Sequence, residues 1–301
     1  MITLAGLAAL AAEHGEELRH PVAPFQLAGR SFDTDTEPLL MGVVNLSRDS
    51  SYRESIAVSI DSAVRKGRVQ AAEGAHLIDV GAESSRASAA RLTAPEQLRT
   101  LVPVIEQLAA DGIAVSIESY EPSVVRAALK AGAALLNLTG SQSDDEMFAL
   151  AAEYDASIVL CHVLGPHARA LDGSDVDPDP VPGMLEGFAP RIERAREIGV
   201  RDIAIDPGMG FGFRLDDQRA RASHQATTLL NSFRLRRLGV PICHALPHAF
   251  DFFEDQFRSG EGFFAMLAHL GGTGIYRTHE VPLTRAVLDA LHHFTVEPPR
   301  S

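Results

Sequence analysis

The sequence predicts a (β/α)8 TIM barrel behind a short N-terminal extension. Two observations carry this reading. From residue 39 onward, eight short apolar runs alternate with longer segments of helical period. The runs are mostly continuous rather than alternating, as expected of parallel strands buried on both faces. An open doubly wound sheet is the competing architecture, but it wants a glycine-rich fingerprint after its first strand, and none is present.

The elements follow in order. Residues 1–10 are apolar, lack a basic flank and run into Glu13, Glu16 and Glu17, which suits a short amphipathic helix better than a signal peptide. The strand candidates are residues 39–46, 76–82, 113–119, 135–140, 157–163, 202–208, 241–246 and 274–279. Between them, Thr93-Ala-Pro-Glu96 reads as a capping box with an early proline, and Ser143-Asp-Asp-Glu146 repeats that signature. Gly74 and Gly132 stand where a left-handed helix end is wanted. The Asp-, Pro- and Gly-rich stretch 171–183 follows the fifth strand and has the length of a lid or rim loop.

Bulk properties narrow the function. The chain has 301 residues, 46% of them hydrophobic, and a formal net charge of −13. Phosphate-backbone and anionic-membrane partners want a basic footprint, so neither nucleic acid nor membrane is expected. A small anion in a local basic pocket remains compatible. Two cysteines, Cys161 and Cys243, make no disulfide framework. No apolar run reaches the length of a membrane span, and a cytoplasmic location is expected.

Barrel active sites form at the C-terminal strand ends. The polar residues there are Asn45, Asp79, Glu83, Glu118, Asn137, His162, Asp206, His244, Arg277 and His279. Singly, such residues are usually helix caps or loop ties; ten on one rim imply a polar ligand. Glu118, Asn137 and Asp206 offer two carboxylates and an amide, which suit the N–H-rich edge of a flat nitrogen heterocycle. Asn45, Arg277 and His279 fall on the first and eighth strands, which become neighbours on closure. Arg and His suit a phosphate or diphosphate, and Asn suits an accompanying hard cation.

At these residues the chain resembles the dihydropteroate synthases, within the wider family of pterin-binding (β/α)8 enzymes. The resemblance covers about residues 25–297. MGVVNLSRDSS, HLIDVGAESSR, IAVSIES, LLN, IAIDPGMGFGF and YRTHEV are similar, in order, to the family's successive strand-end motifs. It implies a helical and hairpin extension over residues 1–37 and a pterin-binding barrel over 38–297. It implies pterin contacts from Glu118, Asn137, Asp206 and Phe211. It further implies a diphosphate site from Asn45, Ser85, Arg86, Arg277 and His279, with Mg2+ at Asn45, and a homodimer. In the family reaction a pterin methyl diphosphate loses diphosphate and p-aminobenzoate attacks the cationic carbon. Arg86, His248, Arg277 and His279 are then the candidates for catalytic roles.

The chain also departs from the pattern. Glu118 stands for the usual aspartate, Arg48 and Ser51 for proline and phenylalanine, and Phe213 for lysine. Strand seven reads Pro241-Ile-Cys-His-Ala-Leu-Pro-His-Ala-Phe250, where the family carries Ser-Arg-Lys-Ser. In that register His248 falls on the arginine and Ala249 on the lysine. An altered or lost p-aminobenzoate site is the economical expectation. A folate-dependent methyl transferase acting on a reduced folate, and a non-catalytic pterin-binding paralogue, are the alternatives. The histidines leave three readings open. One is a metal site from Cys161, His162, His244 and His248. A second has His244 or His248 replace the lysine as donor or base, and the third is a repacked strand end. His76, His292 and His293 read as structural.

Overall fold

The computed structural model describes residues 1–46, 57, 59–82, 92–163, 165, 167, 177–209 and 217–294. Two helices, α1 (Leu4–Glu13) and α2 (Gly15–Leu18), lead into a hairpin of β1 (Phe25–Leu27) and β2 (Arg30–Phe32). Thr3 caps α1 by accepting from Gly6 N at 3.1 Å. The hairpin buries Phe25, Leu27 and Phe32 against Leu39, Met41, Leu77, Leu135 and Ile275, closing the floor of the barrel. Arg236 ties the extension down, donating to both carboxylate oxygens of Asp35 at 2.7 and 2.8 Å and to the His20 carbonyl at 3.0 Å.

The barrel strands are β3 (Leu39–Asn45), β4 (Leu77–Gly81), β5 (Ala114–Glu118), β6 (Leu135–Leu138), β7 (Ser157–Cys161), β8 (Ile203–Asp206), β9 (Cys243–Ala245) and β10 (Ile275–Thr278). They pair in parallel in the order β8-β7-β6-β5-β4-β3-β10-β9. The remaining seam is stitched by an Ile205–Ile242 bridge and by Ile205 N donating to the Pro241 carbonyl at 3.0 Å. The eight expected strands are therefore all present, and the open-sheet alternative falls.

Around them run α3 (Ile60–Glu73), α4 (Ala94–Ala110), α5 (Pro122–Lys130), α6 (Asp144–Glu153), α7 (Val181–Ile198), α8 (Gln218–Asn231), the short α9 (Phe250–Phe253), α10 (Phe257–Leu270) and α11 (Val281–His293). The Thr93 box forms, with Glu96 Oε2 accepting from Thr93 N at 2.7 Å. Gly74 and Gly132 take φ of 113° and 109°, as the chain reversal requires. The second box does not form: Ser143 makes no side-chain cap bond. Asp144 instead pairs with Arg191 through 2.7 and 2.9 Å bonds, and Arg191 also reaches the Gly140 and Cys161 carbonyls. No helix among the described residues is long and apolar enough to cross a membrane.

Strand parity builds the mouth. Alternate residues face the interior, so Leu77, Leu135, Ala204 and Ile275 on the floor are followed, two positions on, by Asp79, Asn137, Asp206 and Arg277. One dry apolar layer thus carries one polar layer above it.

The segment after β9 is held by α10. A Cβ on Gly260 would lie 2.4 Å from the His248 carbonyl oxygen, so the helix packs there only without a side chain. Gly260→Ala is expected to destabilise the protein by about 1–3 kcal/mol through this overlap, read as a lower urea midpoint at unchanged m-value.

Candidate active site

Asp79 is the centre of the polar layer. It is 1% exposed, accepts from Ser116 Oγ at 2.6 Å and Asn137 Nδ2 at 3.1 Å, and pairs with Arg277 Nε at 2.7 Å. Arg277 also reaches Glu118 Oε2 at 2.5 Å. Asp206 accepts from Gly208 N at 2.7 Å. The heterocycle set (Glu118, Asn137, Asp206) and Arg277 of the anion set therefore occupy one layer. Asp79 was legible as a strand-end acid, but only parity marks it as inward and shared.

Asn45 ends β3 beside this layer: a Cβ on Gly81 would lie 3.7 Å from Asn45 Oδ1 and 3.7 Å from Glu118 Oε2. Asn45 Oδ1 is of the oxygen type that a hard cation such as Mg2+ takes, whereas Glu118 Oε2 is already paired with Arg277. Ser85, Arg86 and Phe211, with Glu83, Arg48, Ser51, Phe213 and residues 171–176 of the rim loop, lie outside the described residues.

His279 and His248 meet at one carboxylate, that of Glu261 on α10. His279 Nδ1 lies 2.9 Å, and His248 Nε2 3.0 Å, from Oε1 of Glu261 on α10. Glu261 is fully buried. Its Oε2 accepts from the Thr278 hydroxyl and from the His279 and Glu280 backbone N–H groups at 3.0 and 3.1 Å. Burial opposes the Glu261 charge, but the two imidazoles outweigh it and hold the carboxyl below its ordinary range. Burial holds His279 below its ordinary value, with Glu261 pulling the other way. Glu261 escaped the sequence reading because it lies mid-helix, far from any strand end. Its one signal is a lone acid set between Gly260 and Gly262.

The remaining histidines separate. His244 is fully buried and faces the helices, with Nε2 2.8 Å from Ser232 Oγ. Burial pushes it down to about 3, which removes it as a base near neutrality. His162 packs its ring on Phe188 of α7, and burial lowers it too. Burial raises the thiols of Cys161 and Cys243. The metal-site reading of Cys161, His162, His244 and His248, one of the three left open, is not met: those four do not assemble as a ligand set. His76 accepts from Leu40 N at 3.0 Å through Nδ1, a structural tie at the barrel floor.

Ala249 also differs from its sequence placement. It sits in the left-handed region at φ 48° and lines an outer groove with Met1, Ile2, Phe252, Phe253 and Phe264. The position aligned with the family lysine thus faces the outer helices, while His248 turns to the rim.

Electrostatically the layer has one cation and three acids. Burial lifts Glu118 to about 7, with Arg277 opposing and Asp79 and Asp206 adding to the rise. Burial lifts Asp206 to about 6 against the Gly208 N–H bond. Arg277 is held above its ordinary value; burial works against its charge and Glu118 and Asp79 more than offset it.

Comparison with known proteins gives a consistent result. The family model "Pterin binding enzyme" matches residues 41–247. Dihydropteroate synthase of Synechocystis is 31% identical over 224 residues, covering 73% of this chain and 74% of its own. That of Bacillus subtilis is 30% identical over 254 residues, covering 81% and 84%. Among solved structures, Xanthomonas albilineans dihydropteroate synthase with 4-aminobenzoic acid superposes at TM-score 0.75 and 29% identity, over 90% of this chain and 98% of that one.

The raised acids set a pH dependence. Between the ordinary carboxylate values of 3.8 and 4.5 and the folded values of about 6 and about 7, the folded state holds protons that the unfolded chain has lost. Stability therefore falls as pH rises through this window, by on the order of 1–3 kcal/mol per group. Urea unfolding from pH 4 to 8 should show the fall, and Glu118→Gln should flatten the part near pH 7.

Proposed function

The chain belongs to the pterin-binding enzyme family, and on that premise we propose that it is a transferase of the dihydropteroate synthase type. The observation that carries this is the single buried layer holding Asp79, Glu118, Asn137, Asp206 and Arg277. A pterin presents an amidine-like edge of N–H donors beside a carbonyl. Carboxylates accept from such an edge, and Asn137 both donates and accepts. Phe211 is the expected aromatic neighbour of the ring.

Asn45, Ser85, Arg86, Arg277 and His279 are the expected diphosphate set; Asn45 would hold Mg2+, which would supply charge neutralisation for the leaving group. In the proposed reaction the methylene C–O bond breaks and diphosphate departs. An aromatic amine nitrogen bonds to the carbon and then loses its proton. Asp206 and Glu118 hold the ring and offset the positive charge that develops on it, while Arg86, Arg277 and His279 orient the anion.

The second substrate's pocket is the divergent part of this proposal. At the rim, His248 stands at Glu261 and faces the Phe250 ring at 5.5 Å, where the family has a Ser-Arg-Lys run. We read this as an altered p-aminobenzoate site. Exposed Phe252, Phe263, Met266 and Leu270 on the later helices support a homodimer through that face.

Calorimetry against the pterin methyl diphosphate with Mg2+, 7,8-dihydropteroate and a reduced folate tests the reading. Binding of the diphosphate is expected, weakened about 10- to 100-fold by Asp206→Ala. Binding of none of the three overturns it. Binding of the reduced folate alone points to a methyl transferase. Diphosphate binding with full turnover of p-aminobenzoate would refute the altered second site. Ala249→Lys is expected not to raise such turnover, since residue 249 faces the outer groove.

A further inference from the structure

Glu261 has no assigned part in the pterin chemistry, yet with His248 and His279 it gathers three ligating side chains from three elements. We propose that these residues form a site for a divalent transition-metal ion of the zinc class, separate from the magnesium expected with the diphosphate. One ligand atom from each residue lies within 4.8 Å of the other two. The ring nitrogens stand 2.9 and 3.0 Å from the same Glu261 oxygen. The two imidazoles are 5.0 Å apart between centroids and tilted by 48°, so their bodies diverge while their nitrogens converge on that oxygen.

Metal sites depend on the groups that orient the ligands. Glu261 Oε2 is already fixed by the Thr278 hydroxyl and two backbone N–H groups, and Thr278 in turn meets the Thr284 hydroxyl at 2.8 Å. Oε1 also receives the His279 backbone N–H at 3.2 Å and is the oxygen that both rings approach. Both histidine side chains are 14% exposed and the glutamate is not exposed at all, so an ion can enter from the rim onto a dry carboxylate. Two imidazoles with one carboxylate suit zinc, cobalt or nickel, whereas magnesium takes oxygen ligands. On binding, each ring carries its N–H on the outer nitrogen and gives the inner lone pair to the metal. The remaining coordination positions are left for water or a substrate oxygen. Because His279 also belongs to the expected anion set, the ion would stand next to that subsite.

The competing account is a metal-free cluster in which the carboxylate only accepts two N–H bonds. Chelator-treated full-length protein titrated with Zn2+ and Co2+, with no pterin present, separates the two. One ion per chain is expected, with a visible Co2+ absorption band of low coordination number. His248→Ala and His279→Ala should each weaken binding by at least about 100-fold. Glu261→Gln should do so as well, but it alters a fully buried charge, so the partly exposed His248 position carries the decisive variant. Absence of stoichiometric binding by folded wild-type protein overturns the proposal, as does unchanged binding by His248→Ala. The titration contains no pterin, so its failure and failure of the transferase reading are distinguishable.

Discussion

Arg277 brings a positive charge into the interior of a closed barrel, and it is stable there only because Asp79 and Glu118 meet it at 2.7 and 2.5 Å. Removing such a partner leaves a buried charge uncompensated, which costs several kcal/mol. The same pairing limits the other acids. Burial lifts Glu118 to about 7 and Asp206 to about 6, and the single guanidinium offsets only part of that rise. The guanidinium also has the shape of the ligand edge the layer is proposed to bind: a planar set of N–H donors facing a carboxylate.

The barrel was legible because strand burial writes itself as continuous apolar runs, and each predicted run contains the observed strand. Membership of the inward polar layer was legible where it follows from parity along a strand. Leu135 to Asn137, Ala204 to Asp206 and Ile275 to Arg277 each step from floor to polar layer in two residues. The second capping signature is the counter-example: Ser143 and Glu146 have the spacing, yet Ser143 makes no side-chain cap bond, and nothing in the structure explains it.

Glu261 marks the limit of that legibility. Strand-end logic selects residues by position along β-strands, while Glu261 enters from the side, out of a helix packed behind β10. It reaches His248 and His279 only because α10 lies against the His248 backbone, a contact that depends on the bare Cα of Gly260. Sequence separations of thirteen and eighteen residues match no local ligand spacing, so the histidines looked like an unrelated strand-end pair.

The rim after β9 then has a different logic from a simple loss of lysine. Ala249 adopts a left-handed backbone, unusual for a residue with a Cβ, and this turn sends its side chain outward and His248 toward Glu261. The backbone turn, the glycine on α10, the buried glutamate and the histidine depend on one another. Lysine at 249 alone would add a cation to an apolar groove and leave the His248–Glu261 pairing in place. A mouth with the family's cation would need the turn, Gly260 and Glu261 changed together. That coupling argues that the segment is built around Glu261 rather than worn down from another pattern.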